Sequence, residues 1–336
     1  MIIVHGVFTL TAPLHSSDGL KGLRVQRDGK VSHQGRDGIP VVSTVTMPLT
    51  VRGRFHGDLP IFPASGIVGR LRRNAAQRYR AALTSDGAAL SQAVYYAITN
   101  GHPVGAQTGS TYTLEAYREI QAQFFFGVLG GGSLRHPARY VQHDLIPVTA
   151  LTIDAGLVPE KFSDLAPVAT GSERELEPWQ MLTHRVIRKI DDISRGRDTT
   201  TQLALPENGD EKFETAVAYQ AIPAGTSMYL RMAIEDNTTP AQRGLVLLAL
   251  RDLCNGQQLG GRIHLGWGGF KPQRFRMIHG DRRIDLFDLA SDDEGIAQLV
   301  DSDSLEELLA PALTEIELVA KQSAAAREAL HKILRT

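Results

Sequence analysis

The segment "IFPASGIVGRLRRNAAQRYR", residues 61–80, combines residue types that can bind an anion. Ser65 is a predicted N-cap followed by Gly66, and the apolar stripe of the predicted helix places Arg70 and Arg73 on the exposed face. A helix N-terminus offers free amides and a partial positive charge, so a phosphate there is favourable. A solvated basic helix face needs no ligand, so the segment alone leaves both interpretations open.

Two glycine-rich segments could also approach a phosphate backbone closely. "GVLGGGSLRHPARY" lacks the terminal Gly-Lys-Ser/Thr of a Walker A loop, and "LGGRIHLGWGGF" lacks the spacing of a dinucleotide-binding fingerprint. Each segment therefore predicts either tight turns at strand ends or a backbone that lies against sugar-phosphate. The second segment contains Gly260, Gly261, Arg262, Gly266 and Gly268.

Candidate catalytic groups are few. Asp37, in "QGRDGIP", could serve as a general base or metal ligand in phosphodiester cleavage, although its flanking glycines favour a turn aspartate. The cluster of His136, His143 and Asp144 has no zincin or facial-triad spacing, so a structural or RNA-contacting role is favoured over metal binding. Cys254 lies within a predicted helix, where a buried, inert thiol is expected. The motifs predict no catalytic residue, no metal and no cofactor.

Composition and charge bound the class of protein. The 336 residues carry 36 Lys+Arg against 37 Asp+Glu, but the charges are segregated along the chain. Residues 52–80 contain seven arginines and one acid, whereas residues 281–317 contain twelve acids and two arginines. Such a molecule can bind a polyanion or stack head to tail on copies of itself. One cysteine excludes an internal disulfide, and the strand-like N-terminus and the lack of a long apolar run predict a soluble, cytoplasmic protein.

The order of predicted elements indicates an α+β fold rather than a doubly wound α/β fold. Residues 2–11 alternate like a half-buried strand, and the polar, glycine-rich residues 15–38 predict a long loop or an irregular hairpin. An aromatic strand is expected at "FFFG", and residues 185–230 read as an extended hairpin. A helix is predicted from Pro240 to Gly256, with a left-handed cap at Gly256. The tail from about Leu305 is helical, with a break or kink at Pro311.

Four segments, taken in order, resemble the signature elements of RAMP-superfamily CRISPR proteins, and they cover most of residues 1–276. The similarity is to the backbone subunits of multi-subunit CRISPR effectors, the Cas-seven family, and the form of the second segment suggests the type IV branch. The segments are "LPIFPASGIVGRLRR", "QFFFGVLGGGSLRHPARYVQHDLIPV", "RKIDDISRGRDTT" with "ETAVAYQAIPAGTSMYLRMAIE", and "LGGRIHLGWGGFKPQRF".

The resemblance implies a single RAMP-type domain. It would consist of an RRM/ferredoxin-like palm at about 1–185 and 223–280, an inserted thumb β-hairpin at about 186–222, glycine-rich loops, and an acidic helical C-terminal region at about 281–336. Family members bind guide RNA (crRNA), stack on copies of themselves in a helical filament, and assemble with other effector subunits to present the RNA for target pairing.

The resemblance also implies which residues contact RNA. Because a guide-binding protein must accept any spacer sequence, the contacts are expected to reach phosphates rather than base edges. Arg72 is the arginine of the first helix expected to matter least. An apolar thumb residue, Leu203 or Leu205, would wedge between bases. The implied RNA contacts are Ser65, Gly66, Arg70, Arg73, Arg135, Arg139, Arg188, Arg195, Gly260, Gly261, Arg262, Gly266 and Gly268.

Two alternatives remain at the level of sequence. Type III relatives cleave target RNA with an aspartate in the first long loop, and Asp37 falls near that place, although its surroundings match only in part. The chain could also be a stand-alone nucleotide-binding or sugar-phosphate-binding α+β protein. The expected function is nevertheless that of a non-catalytic guide-RNA-binding subunit.

Overall fold

The computed structural model describes residues 1–25, 31–32, 39–102, 113–132, 136–166, 183–190, 214–261, 263–291 and 297–335. The strands are β1 (Ile2–Leu10), β2 (Ser17–Val25), β3 (Val31–Ser32), β4 (Ile39–Thr44), β5 (Thr46–Val51), β6 (Arg54–Pro60), β7 (Tyr140–Gln142), β8 (Ile146–Pro147), β9 (Thr183–Ile190), β10 (Glu214–Ala221), β11 (Ser227–Ile234), β12 (Phe270–His279), β13 (Arg282–Asp285), β14 (Phe287–Ser291) and β15 (Ala297–Asp301). The α-helices are α1 (Ala64–Leu83), α2 (Gln92–Asn100), α3 (Leu114–Ala122), α4 (Phe126–Leu129), α5 (Ala150–Asp154), α6 (Pro240–Gly256), α7 (Asp303–Lys321) and α8 (Ser323–Arg335), with 3₁₀ segments at Glu160–Leu165 and Ile263–Leu265.

The main sheet has β1 at its centre, paired antiparallel with β11 on one side and β12 on the other. Its strand order is β13-β12-β1-β11-β7, with β8 also paired to β11. The connections run β1–α1–β7, then β11–α6–β12, which is the βαββαβ arrangement of ferredoxin-like domains. The fold is therefore α+β, and this sheet is the palm predicted from the sequence.

One face of the palm sheet packs on the helices. Alternating residues of β1, among them Val4 and Phe8, are fully buried there, as expected from the period of two. Helix α6 begins with a reciprocal capping box between Thr239 and Gln242 and is buried on almost every face. Helix α7 lies close against α6 at Gly244, which has no side chain. A Cβ at this position would lie 2.8 Å from the carbonyl oxygen of Leu308.

Three local expectations are corrected by the structure. The left-handed residue after α6 is Gln257 rather than Gly256, which is still helical. Helix α7 continues through Pro311, and the chain turns only at Gln322, before α8. The "FFFG" segment forms a turn and the start of the short helix α4 instead of a strand, and its rings are buried in the core among helices.

A second sheet has the order β3-β2-β4-β10-β9. Residues 183–190 and 214–221 pair antiparallel, from Glu214 opposite Ile190 to Ala221 opposite Thr183, and β10 is parallel to β4. These strands flank residues 191–213, which lie outside the described residues together with most of the predicted thumb. The glycine-rich segment predicted as a loop or hairpin contributes β2 and β3 to this same sheet.

Candidate nucleic-acid interface

The N-terminus of α1 differs from its prediction. The helix begins at Ala64, Pro63 occupies the N-cap position without a side-chain bond, and Ser65 is an exposed residue of the first turn. Ser65 is therefore not the N-cap. The amide of Ala64 donates instead to the Oδ1 atom of Asp144, at 2.7 Å. A protein carboxylate thus already occupies the positive end of this helix.

Three arginines of α1 are engaged by the protein. Arg72 donates to the carbonyl oxygens of Leu129 and Gly130, and it lies near the Phe125 ring. Arg78 forms a bidentate pair with Asp252, at 2.5 and 2.7 Å. The guanidinium carbon of Arg80 lies 4.9 Å from the centre of the Tyr95 ring. These contacts hold α1 against its neighbours, so these side chains have structural roles.

Arg70 and Arg73 differ from these three arginines in their lack of protein partners. Neither makes a hydrogen bond or an ion pair with any residue in the part of the chain that the structure describes. Burial and the neighbouring charge of Arg70 lower the pKa of Arg73. The Nε atom of Arg70 is buried without a hydrogen-bond partner among the same residues. Two adjacent cations without a counter-charge would be stabilised by a bound anion.

The second glycine-rich segment, "LGGRIHLGWGGF", which we call the closing loop, folds back onto the chain that follows β1. The amide of Gly261 donates to the His15 carbonyl at 3.1 Å, and that of Gly268 donates to the Pro13 carbonyl at 2.8 Å. Gly260 has φ +82°, and a Cβ there would lie 2.7 Å from the His15 oxygen. Gly268 has φ +76° and touches the backbone of Leu259. Glycine is required at both positions by conformation and by space.

The loop and α1 meet in a single cleft. Arg70 and Arg73 of α1 line it together with Gly260 and Gly261 of the loop, around a volume of about 190 Å³. Gly66 also lines this cleft, but a Cβ there would lie 2.7 Å from the Phe62 ring. Packing against Phe62 therefore explains the glycine at position 66. The tertiary structure brings together five of the residues that the sequence singled out.

His15 is a cleft residue that the sequence analysis missed. Its ring is buried, and Nδ1 is 2.6 Å from the Gln220 carbonyl; because a carbonyl only accepts, this nitrogen is the donor. The ring makes edge contacts with Tyr219 of β10 and with Trp267 of the closing loop. His15 thereby links the cleft to the strand that leads out of the predicted thumb. A single histidine in a polar segment offers no motif, so only the tertiary contacts identify it.

Arg139 has an enclosed guanidinium. It is 4% exposed and donates to Asn237 at 2.6 Å and to Gln242 at 3.3 Å, with Glu235 at 3.5 Å from its Nε. A side chain with these partners supports α6 and leaves no open surface for a phosphate. We therefore leave Arg139 out of the RNA contacts proposed below.

The remaining predicted residues fall in several places. His136 is buried beside Tyr117, His143 is exposed, and burial raises the pKa of the Cys254 thiol, as expected for an inert cysteine. Gly266 has an open environment and φ +77°. Only the backbone of Arg188 is described, in β9. Outside the described residues lie Asp37, Arg135, Arg195, Leu203, Leu205 and Arg262.

Two further findings concern the described residues only. Among them, no group of three His, Cys, Asp or Glu side chains is arranged to hold a metal ion. No helix within the same ranges combines the length and apolarity needed to cross a membrane.

Comparisons with known proteins give limited information. The chain matches no protein-family profile and no curated protein. A solved structure similar to it is titled "Type IV-B CRISPR Complex"; the two share 14% identity with a TM-score of 0.47. The similarity covers 85% of this chain and 94% of that one. A likeness at this level carries no argument about function, which therefore depends on the cleft and on the sequence motifs.

Proposed function

We propose that this protein is the guide-RNA-binding backbone subunit of a CRISPR ribonucleoprotein complex and that the cleft holds RNA phosphates. One observation carries the proposal: Arg70 and Arg73 have no ion-pair partner among the described residues and line the same cleft as Gly260 and Gly261. Guanidinium groups suit phosphate oxygens because they present several donors in a plane. The order of the four motifs along the chain supports the same assignment.

The composition of the cleft favours contacts that do not depend on base sequence. Its side-chain donors are the guanidinium groups of α1 and the hydroxyl and amide groups of Ser16, Ser17 and Gln258. Phe62 and His15 are buried at 3% exposure each and offer no platform for base stacking. RNA bound in this way is held by charge and backbone shape. A guide-binding subunit requires this property, since its bases must remain available for pairing with target nucleic acid.

The cleft is small for a site that encloses a whole nucleotide. Its volume of about 190 Å³ is below the range of roughly 300–1,000 Å³ that is usual for small-molecule sites. A phosphate with part of a sugar fits such a volume. The cleft suits one segment of a longer strand that continues beyond it.

Purification tests the proposal directly. The protein is expressed in the cytoplasm of a host cell together with its partner subunits, once with a CRISPR array and once without it. The length of the co-purified nucleic acid is then measured. RNA of uniform guide length is expected only with the array, and the Arg70→Ala/Arg73→Ala variant should retain less of it. Wild-type protein that emerges free of nucleic acid beside an expressed array would overturn the proposal.

The same preparation tests the ribonuclease alternative. Loaded complex is incubated with a complementary target RNA and a divalent cation, and the products are sized. We expect intact target, because we propose a non-catalytic subunit. Metal-dependent cuts at regular spacing that disappear in Asp37→Ala would establish the ribonuclease function instead.

A further inference from the structure

The palm sheet has a second face, on the side away from α1 and α6. Directly opposed residues of neighbouring strands share a face, so the pairing register defines rows across the sheet. One row runs from Arg283 through Ile278, Ile3 and Ala233 to Val141. Ile3 and Ile278 are partly buried, Ala233 is buried, Val141 is 57% exposed, and Arg283 is exposed. This apolar row therefore reaches the surface.

The next row on the same face is basic. His5 is opposed by Arg231 on one side and by Arg276 on the other. Arg276 is paired with Asp285, but the exposed Arg231 has no ion-pair partner among the described residues. Burial, followed by the charges of Arg276 and Arg283, lowers the pKa of Lys161, which lies near this row. We call Ile3, Val141, Arg231, Ile278 and Arg283 the outer patch.

Among the described residues, only a part of this face is covered by other segments of the chain. Phe162, Val148 and Val158 pack over Val7 and Tyr229 in a small cluster of their own. The outer patch lies in the rows beyond that cluster. An apolar row bordered by arginines on an otherwise covered sheet indicates a surface that binds a partner.

Helix α7 presents a matching surface on the opposite side of the molecule. It packs on α6 and α1, which cover the other face of the sheet. Its solvent side carries Leu313 and Leu318, which are 37% and 45% exposed, together with exposed acids. We call this set the α7 stripe: Glu306, Glu307, Leu313, Glu317 and Leu318.

We propose that the outer patch of one copy binds the α7 stripe of a second copy. Each surface combines aliphatic side chains that reach the surface with charges that have no ion-pair partner among the described residues, and those charges are of opposite sign. Because the two surfaces differ and lie on opposite sides, the contact is heterologous, and every added copy leaves one surface of each kind free. This inference rests on the proposed function, because it supplies the contact between copies that lie side by side on one RNA.

The experiment uses two charge-reversal variants of the full chain, without RNA. The patch variant is Arg231→Glu/Arg283→Glu, and the stripe variant is Glu307→Lys/Glu317→Lys; all four side chains are exposed. Arg118→Glu and Glu115→Lys, exposed on α3, are the matched controls. Sedimentation velocity is measured over a concentration series at low and high salt. Circular dichroism checks that each variant is folded.

The mixing result is the decisive one. Wild type and both controls should form oligomers that grow with concentration and shrink with added salt, whereas each variant alone stays monomeric. An equimolar mixture of the two variants should associate again, because the intact patch of one meets the intact stripe of the other and the two reversed surfaces also carry opposite charges. A monomeric wild type, a variant that associates like wild type, or a mixture that stays monomeric would each overturn the proposal.

Affinity for a short RNA that fits one copy separates this inference from the proposed function. The patch and stripe variants should bind it like wild type, since neither changes the cleft. If self-association fails while Arg70→Ala/Arg73→Ala still weakens RNA binding, the docking surfaces are wrong and the RNA site stands. If self-association behaves as expected while Arg70→Ala/Arg73→Ala leaves RNA binding unchanged, the docking surfaces stand and the RNA site is wrong.

Discussion

The carboxylate of Asp144 accepts a hydrogen bond from the backbone amide of Ala64, at 2.7 Å. The first turn of α1 therefore already faces an anion that belongs to the protein. A phosphate in the cleft must be held by side chains further along the helix, Arg70 and Arg73, rather than by the free amides expected from the sequence.

Asp144→Ala separates these two modes of binding. Loss of the acceptor should lower the free energy of unfolding by about 1 kcal/mol, as for other helix N-terminal acceptors. RNA affinity should stay within about twofold of wild type, because the arginines hold the phosphate. Chemical denaturation and a filter-binding titration measure the two quantities. A large gain in affinity would show that the helix N-terminus is the phosphate site after all.

Arg70→Ala and Arg73→Ala should weaken RNA binding equally for guides of any sequence. For single strands, each lost phosphate contact should reduce the slope of log K against log salt by about 0.7. Fluorescence anisotropy across a salt series measures this slope. Arg118→Ala, which removes an exposed arginine from α3, is the control. An unchanged slope in the Arg70→Ala/Arg73→Ala double variant would show that this face of α1 is solvated and does not contact RNA.

Arg72→Ala should lower stability and leave RNA binding unchanged. It leaves the Leu129 and Gly130 carbonyls without their charged donor, so the free energy of unfolding should fall by about 2 kcal/mol. The salt slope for RNA should not change, since Arg72 does not line the cleft. The same denaturation and anisotropy assays apply. A reduced slope with intact stability would move Arg72 to the RNA contacts.

Gly260→Ala tests the closing loop. A Cβ at this left-handed residue would lie 2.7 Å from the His15 carbonyl, so the loop must move and both stability and RNA affinity should fall. Gly266→Ala is the matched control, because Gly266 also has positive φ but nothing within 4 Å. Gly266→Ala should lower the free energy of unfolding only by the cost of the strained backbone, about 1–2 kcal/mol. Equal effects of both substitutions on affinity would contradict the close contact as the cause.

His5 should make stability depend on pH. Burial, followed by the charges of Lys161 and Arg231, lowers the pKa of His5 from 6.5 to about 4. Between pH 6.5 and pH 4, His5 binds a proton more strongly in the unfolded chain than in the folded one. The contribution of His5 to the free energy of unfolding is therefore fully present above pH 6.5 and is lost as pH falls toward 4. Thermal unfolding midpoints of wild type and His5→Gln between pH 7 and pH 4 measure it. The wild type should lose more stability on acidification; parallel curves would contradict the shift.

The sequence predicted much of the palm because the relevant signals are local. The alternation of β1, the apolar stripe of α1 and the Thr239–Pro240 start of α6 each specify an element within a few residues. The α+β class and the sheet-and-helix order followed from these elements. The continuation of α7 past Pro311 did not follow, because its packing on α6 overrides the local preference.

By itself, the sequence determined which residue types stand near the cleft: arginines on one predicted helix and glycines in one late loop. It could not determine which arginines remain available, because all five lie on one helix and their partners come from distant segments. Only the tertiary structure placed the 129–130 carbonyls at Arg72 and Asp252 at Arg78, and it left Arg70 and Arg73 in the same cleft as Gly260. The physical reason is that a counter-charge acts over a few ångströms of space, and sequence spacing does not encode that distance between remote segments.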